Sequence, residues 1–273
     1  MTTEIQNNLT LETSYSSNKF TRLALRIDSG EVRIPHFQRG VVWDERKTAA
    51  LFDSILKGVP FGKITFWETS IPLEEDRLIA PTRVTDSFSF FKYVLDGQQR
   101  LTSIYKTFHA SEEEYSKNRK IYIDVTVNPK NFTLEPLSFF KQSNDNPKHF
   151  PVYMLFAENA RSLIREMGFE SEEQDNLEEY KSKLSSFDIY FDTIKTENQE
   201  VAASVFVAIN NGSSRLTETD IMAAILFDQE ADWYFHSKSK QLMEEAAARN
   251  FEMKPKKQLQ LLSLVCFGNY HPK

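Results

Sequence analysis

The chain has 273 residues, a formal net charge of −6 and a single cysteine, Cys266. That length is enough to bury a substantial core in one large domain or two medium ones. The acidic balance argues against wholesale nucleic-acid binding by the chain acting alone, because duplex affinity rests on Lys and Arg neutralising phosphates, and one thiol excludes an internal disulfide framework and any multi-cysteine zinc site.

Residues 1–18, rich in Thr, Ser and Asn, read as a flexible leader. Phe20, Leu23, Ala24 and Ile27 fall on one helical face that Ser29-Gly30 stops, and residues 32–34 make a short strand ended by Pro35. Asp44 is a good N-cap for a helix through Leu51, Phe52, Ile55 and Leu56 to Gly58. A strand over 63–68 follows, and residues 70–90, polar and carrying two prolines, read as one long loop. The apolar run up to Leu95-Asp96 is a strand; past Gly97, Leu101, Ile104, Tyr105 and Phe108 recur at helical spacing. Residues 121–127 read as a strand, and 128–151 as a loop with at most a short strand at 132–134, marking a subdomain boundary near 150. Helices are predicted over 155–167, 171–184, 198–209, 218–227, 233–249 and 256–267, with one returning strand near 187–194. The expected class is α+β, with a mixed-sheet core over 19–150 and a mainly helical part over 151–273. The apolar helix running straight into Tyr270-His271-Pro272-Lys273 reads as a cut end, so a fragment of a longer protein is expected. No run approaches the roughly 20 consecutive apolar residues of a membrane span. The N-terminus has no charged start leading into an apolar block, and a cytoplasmic protein without a membrane partner is expected.

Two strand exits carry the chemistry. In Asp96-Gly97-Gln98-Gln99-Arg100 the strand gives way to a helix start, where unpaired N–H groups and the positive end of the macrodipole favour an anion. Arg100 adds a guanidinium fork suited to phosphate. Taken singly, the stretch fits an ordinary cap equally well, with Asp96 as N-cap. In Ile34-Pro35-His36-Phe37-Gln38-Arg39-Gly40-Val41-Val42-Trp43 a proline-stiffened exit again ends in Gln and Arg, and alone it also reads as a turn anchored by aromatic packing. Two such exits side by side suit a polyphosphate better than a core. Phe66, Trp67, Phe91 and Tyr93 fit either a base-stacking surface or strand packing. Asn210-Asn211-Gly212 is a helix stop. Lys254-Pro255-Lys256-Lys257 is a small basic cluster that fits a solvated helix start or a nucleic-acid contact. The five histidines are scattered without the spacing that holds a catalytic metal.

In combination these blocks resemble a known family. The stretch from Ile34 to Trp43, Leu51-Phe52-Asp53-Ser54-Ile55-Leu56-Lys57-Gly58, Leu95-Asp96-Gly97-Gln98-Gln99-Arg100-Leu101 and Phe206-Val207-Ala208-Ile209-Asn210-Asn211-Gly212 resemble, in this order, the N-terminal domain of the GmrSD family. These are modification-dependent (type IV) restriction proteins of bacteria, with relatives in phage defence. The resemblance covers about residues 20–227. It implies a ParB/sulfiredoxin-like core that binds a nucleoside triphosphate of unspecified base with Mg²⁺ and hydrolyses it to license DNA cleavage. Carried over residue by residue, it makes Asp96, Gln98, Gln99 and Arg100 the catalytic set. Asp96 would hold Mg²⁺ or the attacking water, the two glutamines would donate to or orient that water, and Arg100 would clamp charge. Gln38, Arg39, Gly97, Arg100 and Asn210 would bind the nucleotide. Sulfiredoxin-type thiol chemistry is set aside, since Cys266 sits in an apolar helix rather than at the phosphate turn. The HNH-type nuclease motif common in the family is not found in this sequence, so DNA is expected to be engaged through a longer protein or a partner nuclease chain. The expected role is an NTP-hydrolysing control module; the alternative is a non-catalytic nucleotide- or DNA-sensing module that controls a partner nuclease. Self-association into a homo-oligomer is compatible with either.

Overall fold

Two strands buried on both faces organise the chain. In a computed structural model that describes residues 12–38, 40–73, 76–79, 88–109, 121–130, 140–141 and 147–210, β3 (Ile64–Thr69) and β5 (Phe91–Asp96) lie at the centre of a six-stranded mixed sheet. The others are β1 (Glu12–Lys19), β2 (Val32–Pro35), β4 (Asp76–Leu78) and β9 (Asp188–Lys195), and the order is β1-β9-β3-β5-β2-β4. Pairing is parallel for β9/β3 and β5/β2 and antiparallel elsewhere. Arg39, Cys266, the basic cluster at 254–257, the strand expected at 132–134 and the helices expected at 218–227, 233–249 and 256–267 lie outside the described residues.

Alternation along the central strands sends side chains into two separate cores. Ile64, Phe66 and Val94 join the larger one, covered by α1 (Phe20–Asp28), α2 (Glu45–Leu56) and α3 (Gln98–His109). Trp67, Tyr93, Leu95 and Ile194 join the smaller one with Phe37 and with Ala202, Ala203 and Phe206 of a later helix, Gln199–Asn210. Phe66, Trp67, Phe91 and Tyr93 are all buried, which makes them packing residues rather than a base platform. The predicted stripe of α1 is borne out: Phe20, Leu23, Ala24 and Ile27 are its buried residues. Asp44 caps α2 as expected, accepting from the Lys47 N–H at 3.0 Å.

The α+β class is as read from the sequence, and the departures from that reading have physical causes. Residues 12–18, taken as part of a flexible leader, instead lie in β1, an edge strand paired along its whole length with β9. Its side chains are almost all exposed, so backbone bonds rather than a buried face hold it. The long loop over 70–90 contains β4, three residues that pair with β2 and anchor it through the Arg33–Asp76 ion pair at 2.9 Å. The strand read over 121–127 stops at Asp124, whose carboxylate accepts from the Thr126 N–H at 2.9 Å and turns the chain. That strand, β6 (Ile121–Asp124), is the middle of a second sheet with β7 (Phe140–Lys141) and β8 (His149–Pro151), both absent from the sequence reading. The helix expected over 155–167 divides into a 3₁₀ turn, Val152–Phe156, and α4 (Ala160–Glu166). The next two elements, α5 (Ser171–Ser186) and β9, match their predicted positions closely, as does α6 (Gln199–Asn210). Among the described residues, no helix is long and apolar enough to cross a membrane.

Candidate functional site

The exit of β5 is built by an irregularity in its ladder. Thr65 pairs with Asp96 but Phe66 pairs with Val94, so Leu95 is left without a partner on β3. On the other side β2 pairs with β5 only at Lys92 and Tyr93. A bulge of this kind leaves backbone groups that must be satisfied elsewhere. Two side-chain amides do so. Gln38 Nε2 donates to the carbonyls of Val94 and Leu95, the latter at 3.0 Å, and Asn210 Nδ2 donates to Leu95 at 3.4 Å and to Phe206 at 2.8 Å. Both side chains are buried. Gln38 thus continues the sheet where β2 has ended, and Asn210 ties the end of α6 to the same carbonyl. The Gln38 carbonyl in turn accepts from Arg77 Nη2 on β4; burial pushes the Arg77 guanidinium pKa down.

Beyond Leu95 the chain turns at Gly97, which adopts φ +85°, and α3 begins when the Leu101 N–H bonds the Gly97 carbonyl at 2.9 Å. The first helical residue, Gln98, is buried. Gln99 points the other way and uses both ends of its amide on the segment after β2: Oε1 accepts from the N–H groups of Val42 (2.8 Å) and Trp43 (3.1 Å), and Nε2 donates to the Gly40 carbonyl (3.1 Å). Its geometry is that of a pin between the two strand exits. Gln99→Ala should therefore lower stability by about 1–2 kcal/mol, because two N–H groups and a carbonyl lose their partner. Urea denaturation checks this, and an unchanged midpoint would refute the pin.

Asp96 and Arg100 face each other one helical turn apart. Arg100 Nη2 donates to Asp96 Oδ2 at 3.0 Å and to the Lys63 carbonyl at 2.8 Å, so the guanidinium joins the turn before β3 to the turn after β5. Gly62, also at positive φ (+90°), leaves room for that guanidinium: a Cβ there would lie 3.2 Å from Nη1. Arg100 Nε is buried with no hydrogen-bond partner among the described residues. Asp96 spends its Oδ2 on Arg100, an ion pair between residues four apart.

Two charged residues that sequence reasoning passed over stand at the same end of the sheet. Thr65 pairs with Asp96 on β5 and with Asp192 on β9, so the two acids occupy one row on either side of β3. Lys63, just before β3, donates from Nζ to Asp192 Oδ2. The hydrogen bond to Asp192 pushes the lysine pKa up, and the fields of Asp192, Tyr15 and Asp96 add to it. No local signal marks Lys63 or Asp192; only strand register brings them here.

The site thus gathers Gln38, Asp96, Gly97, Gln98, Gln99, Arg100 and Asn210 around one turn. Its donor set is a single partly exposed carboxylate, an arginine, a lysine and a helix start. Among the described residues no group of three or more His, Cys, Asp and Glu side chains is placed to hold a metal ion. One carboxylate fits Mg²⁺ that arrives with phosphate ligands, since that ion keeps waters and binds through one or two carboxylates plus substrate oxygens. A family model described as the GmrSD restriction endonuclease N-terminal domain matches residues 21–227, well over half of the chain. No curated protein matches the chain.

Proposed function

Because the chain belongs to the family of GmrSD restriction endonuclease N-terminal domains, a restriction and phage-defence family, we propose that it is the nucleotide-dependent control module of such a system, binding a nucleoside triphosphate with Mg²⁺ at the β5–α3 turn and hydrolysing it. The observation that carries this reading is the start of α3, where the helix N–H groups, Asp96 and the buried Nε of Arg100, which has no hydrogen-bond partner among the described residues, meet at the end of the central strand. A helix N-terminus with an arginine beside it is matched to phosphate oxygens. A ParB/sulfiredoxin-like ancestry of the mixed sheet belongs to the same proposal.

In this reading the first-turn N–H groups of α3 would orient the phosphates, and the Asp96 carboxylate would hold Mg²⁺. Bound Mg²⁺ supplies charge neutralisation at the transferring phosphoryl group, where positioning and electrostatics do most of the catalysis. Gln98 lies at the mouth of the helix and would orient the attacking water. Gln38, Gln99 and Asn210 act as positioning residues, since each spends its amide on the main chain of the two exits. Arg39 is retained as a nucleotide contact on the strength of the sequence pattern alone. DNA would be engaged through a longer protein or a partner nuclease chain.

Phosphate release from ATP, GTP, CTP and UTP with and without Mg²⁺ tests the proposal. Metal-dependent turnover of at least one triphosphate is expected. Binding by calorimetry without turnover would replace it with the sensor reading, and neither binding nor turnover would end it.

A further inference from the structure

We propose that Lys63, held in place by Asp192, supplies the free positive charge that meets the terminal phosphates, a role that rests on the nucleotide reading above. The sequence points to Arg100 for this, but part of that guanidinium is already engaged. One guanidinium nitrogen bonds both Asp96 and the Lys63 carbonyl, and the side chain is only 22% exposed. With its charge matched by Asp96, its Nη2 on the Lys63 carbonyl and its place left open by Gly62 and Gly97, Arg100 reads as the brace of the turn.

Lys63 is also paired with an acid but differs in exposure and reach. Its main chain touches the Arg100–Asp96 pair, while its ammonium sits across β3 against Asp192. The lysine side chain is 56% exposed and that of Asp192 only 12%, so the acid is the fixed partner and the lysine the mobile one. An ammonium carries three donors, and one bond to Asp192 leaves two for phosphate oxygens. The groups facing it are Asp192, Asp96 and the Tyr15 ring, whose centroid is 5.6 Å from Nζ. Two acids beside one lysine and one arginine leave the site electrically balanced when empty. A triphosphate therefore gains most from a cation that can meet it without leaving its own acid, and the Lys63 ammonium can do so by keeping one donor on Asp192 and turning the other two outward. An ordinary surface ion pair would add little to stability and nothing to phosphate affinity.

The experiment uses the whole chain and compares binding of the four nucleoside triphosphates and their monophosphates, each with Mg²⁺, by calorimetry. Lys63→Met is expected to weaken the preferred triphosphate roughly 10- to 100-fold, the loss of a charge-assisted contact, and its monophosphate less than about threefold on the same reasoning. Lys63→Arg should keep most of the affinity. Asp192→Asn, which removes the tether and keeps the shape, should give an intermediate loss. Lys63→Met binding the triphosphate like wild type, or losing both ligands equally, would overturn the role of Lys63 alone. Wild-type chain that binds none of the nucleotides would overturn the nucleotide reading and this inference together.

Discussion

Asp96→Asn is expected to reduce Mg²⁺-dependent phosphate release by at least about 100-fold while leaving the chain folded. The substitution keeps the side-chain shape and an acceptor for Arg100 but removes the negative charge that would hold the metal, an electrostatic element of the kind whose loss typically costs two to three orders of magnitude in rate. The structural penalty is small by comparison. The Asp96–Arg100 pair is part-exposed, with side-chain exposures of 26% and 22%, and such pairs contribute about 0–1 kcal/mol. A thermal midpoint close to wild type combined with lost turnover would therefore place the effect in the chemistry. Retained turnover in the folded variant would remove Asp96 from the mechanism.

Gly97→Ala is expected to destabilise the chain by about 2–4 kcal/mol, through backbone strain and a packing clash together. At φ +85° an L side chain is strained by itself, and its Cβ would lie 2.5 Å from Ile64 Cδ1, 3.3 Å from Ile64 Cα and 3.2 Å from Arg100 Nη2. Adding Ile64→Val removes the Cδ1 atom and should recover only that part of the clash, while the strain and the close contacts to Ile64 Cα and Arg100 Nη2 stay. Gly40→Ala is the control, because a Cβ at Gly40 meets nothing within 4 Å; it should stay within about 0.5 kcal/mol of wild type. Urea denaturation of the four chains checks the series. A Gly97→Ala midpoint equal to wild type would show that the turn is not locked.

Gly97 illustrates what the sequence carried and what it did not. A glycine between a strand and a helix was legible as a turn, but its need for absent Cβ comes from Ile64, a residue on a different strand. The face of α1 and the buried runs of β3 and β5 were readable because side-chain burial writes a period into the sequence. Strand β1 was not, since Glu12-Thr13-Ser14-Tyr15-Ser16-Ser17-Asn18-Lys19 buries almost nothing and is held by backbone bonds that any sequence can make. Strands β4 and β8 are three residues each, too short for alternation to show. At the site, the pairing of a Gln-Arg exit with the turn after Leu95 was legible as two motifs. The physical link between them was not. Gln99 meets Val42 and Trp43 across 57 and 56 positions of chain, and Gln38 meets Leu95 across 57. Asn210 reads locally as a helix stop and, through the resemblance, as a nucleotide contact; its bond to the Leu95 carbonyl, 115 positions away, has no local signal. Asp192 and Lys63 are ordinary charged residues in sequence, and register alone makes them neighbours of Asp96.

The order of the large sheet has a consequence for the ribosome. The first of the described strands in chain order, β1, pairs with β9, and the contact between Lys19 and Asp188 spans 169 positions. Strand β9 also supplies the parallel neighbour of β3. During synthesis β2, β3, β4 and β5 can assemble early, but β1 waits unpaired until nearly two hundred residues have emerged. Contacts of such long range close slowly because the loop entropy is lost before any contact is gained. Asn210 arrives later still, so the turn bearing Asp96 receives its last support near the end of this sequence of events. A nascent chain of this protein would carry the centre of the sheet before it carried the Asn210 support of the turn bearing Asp96.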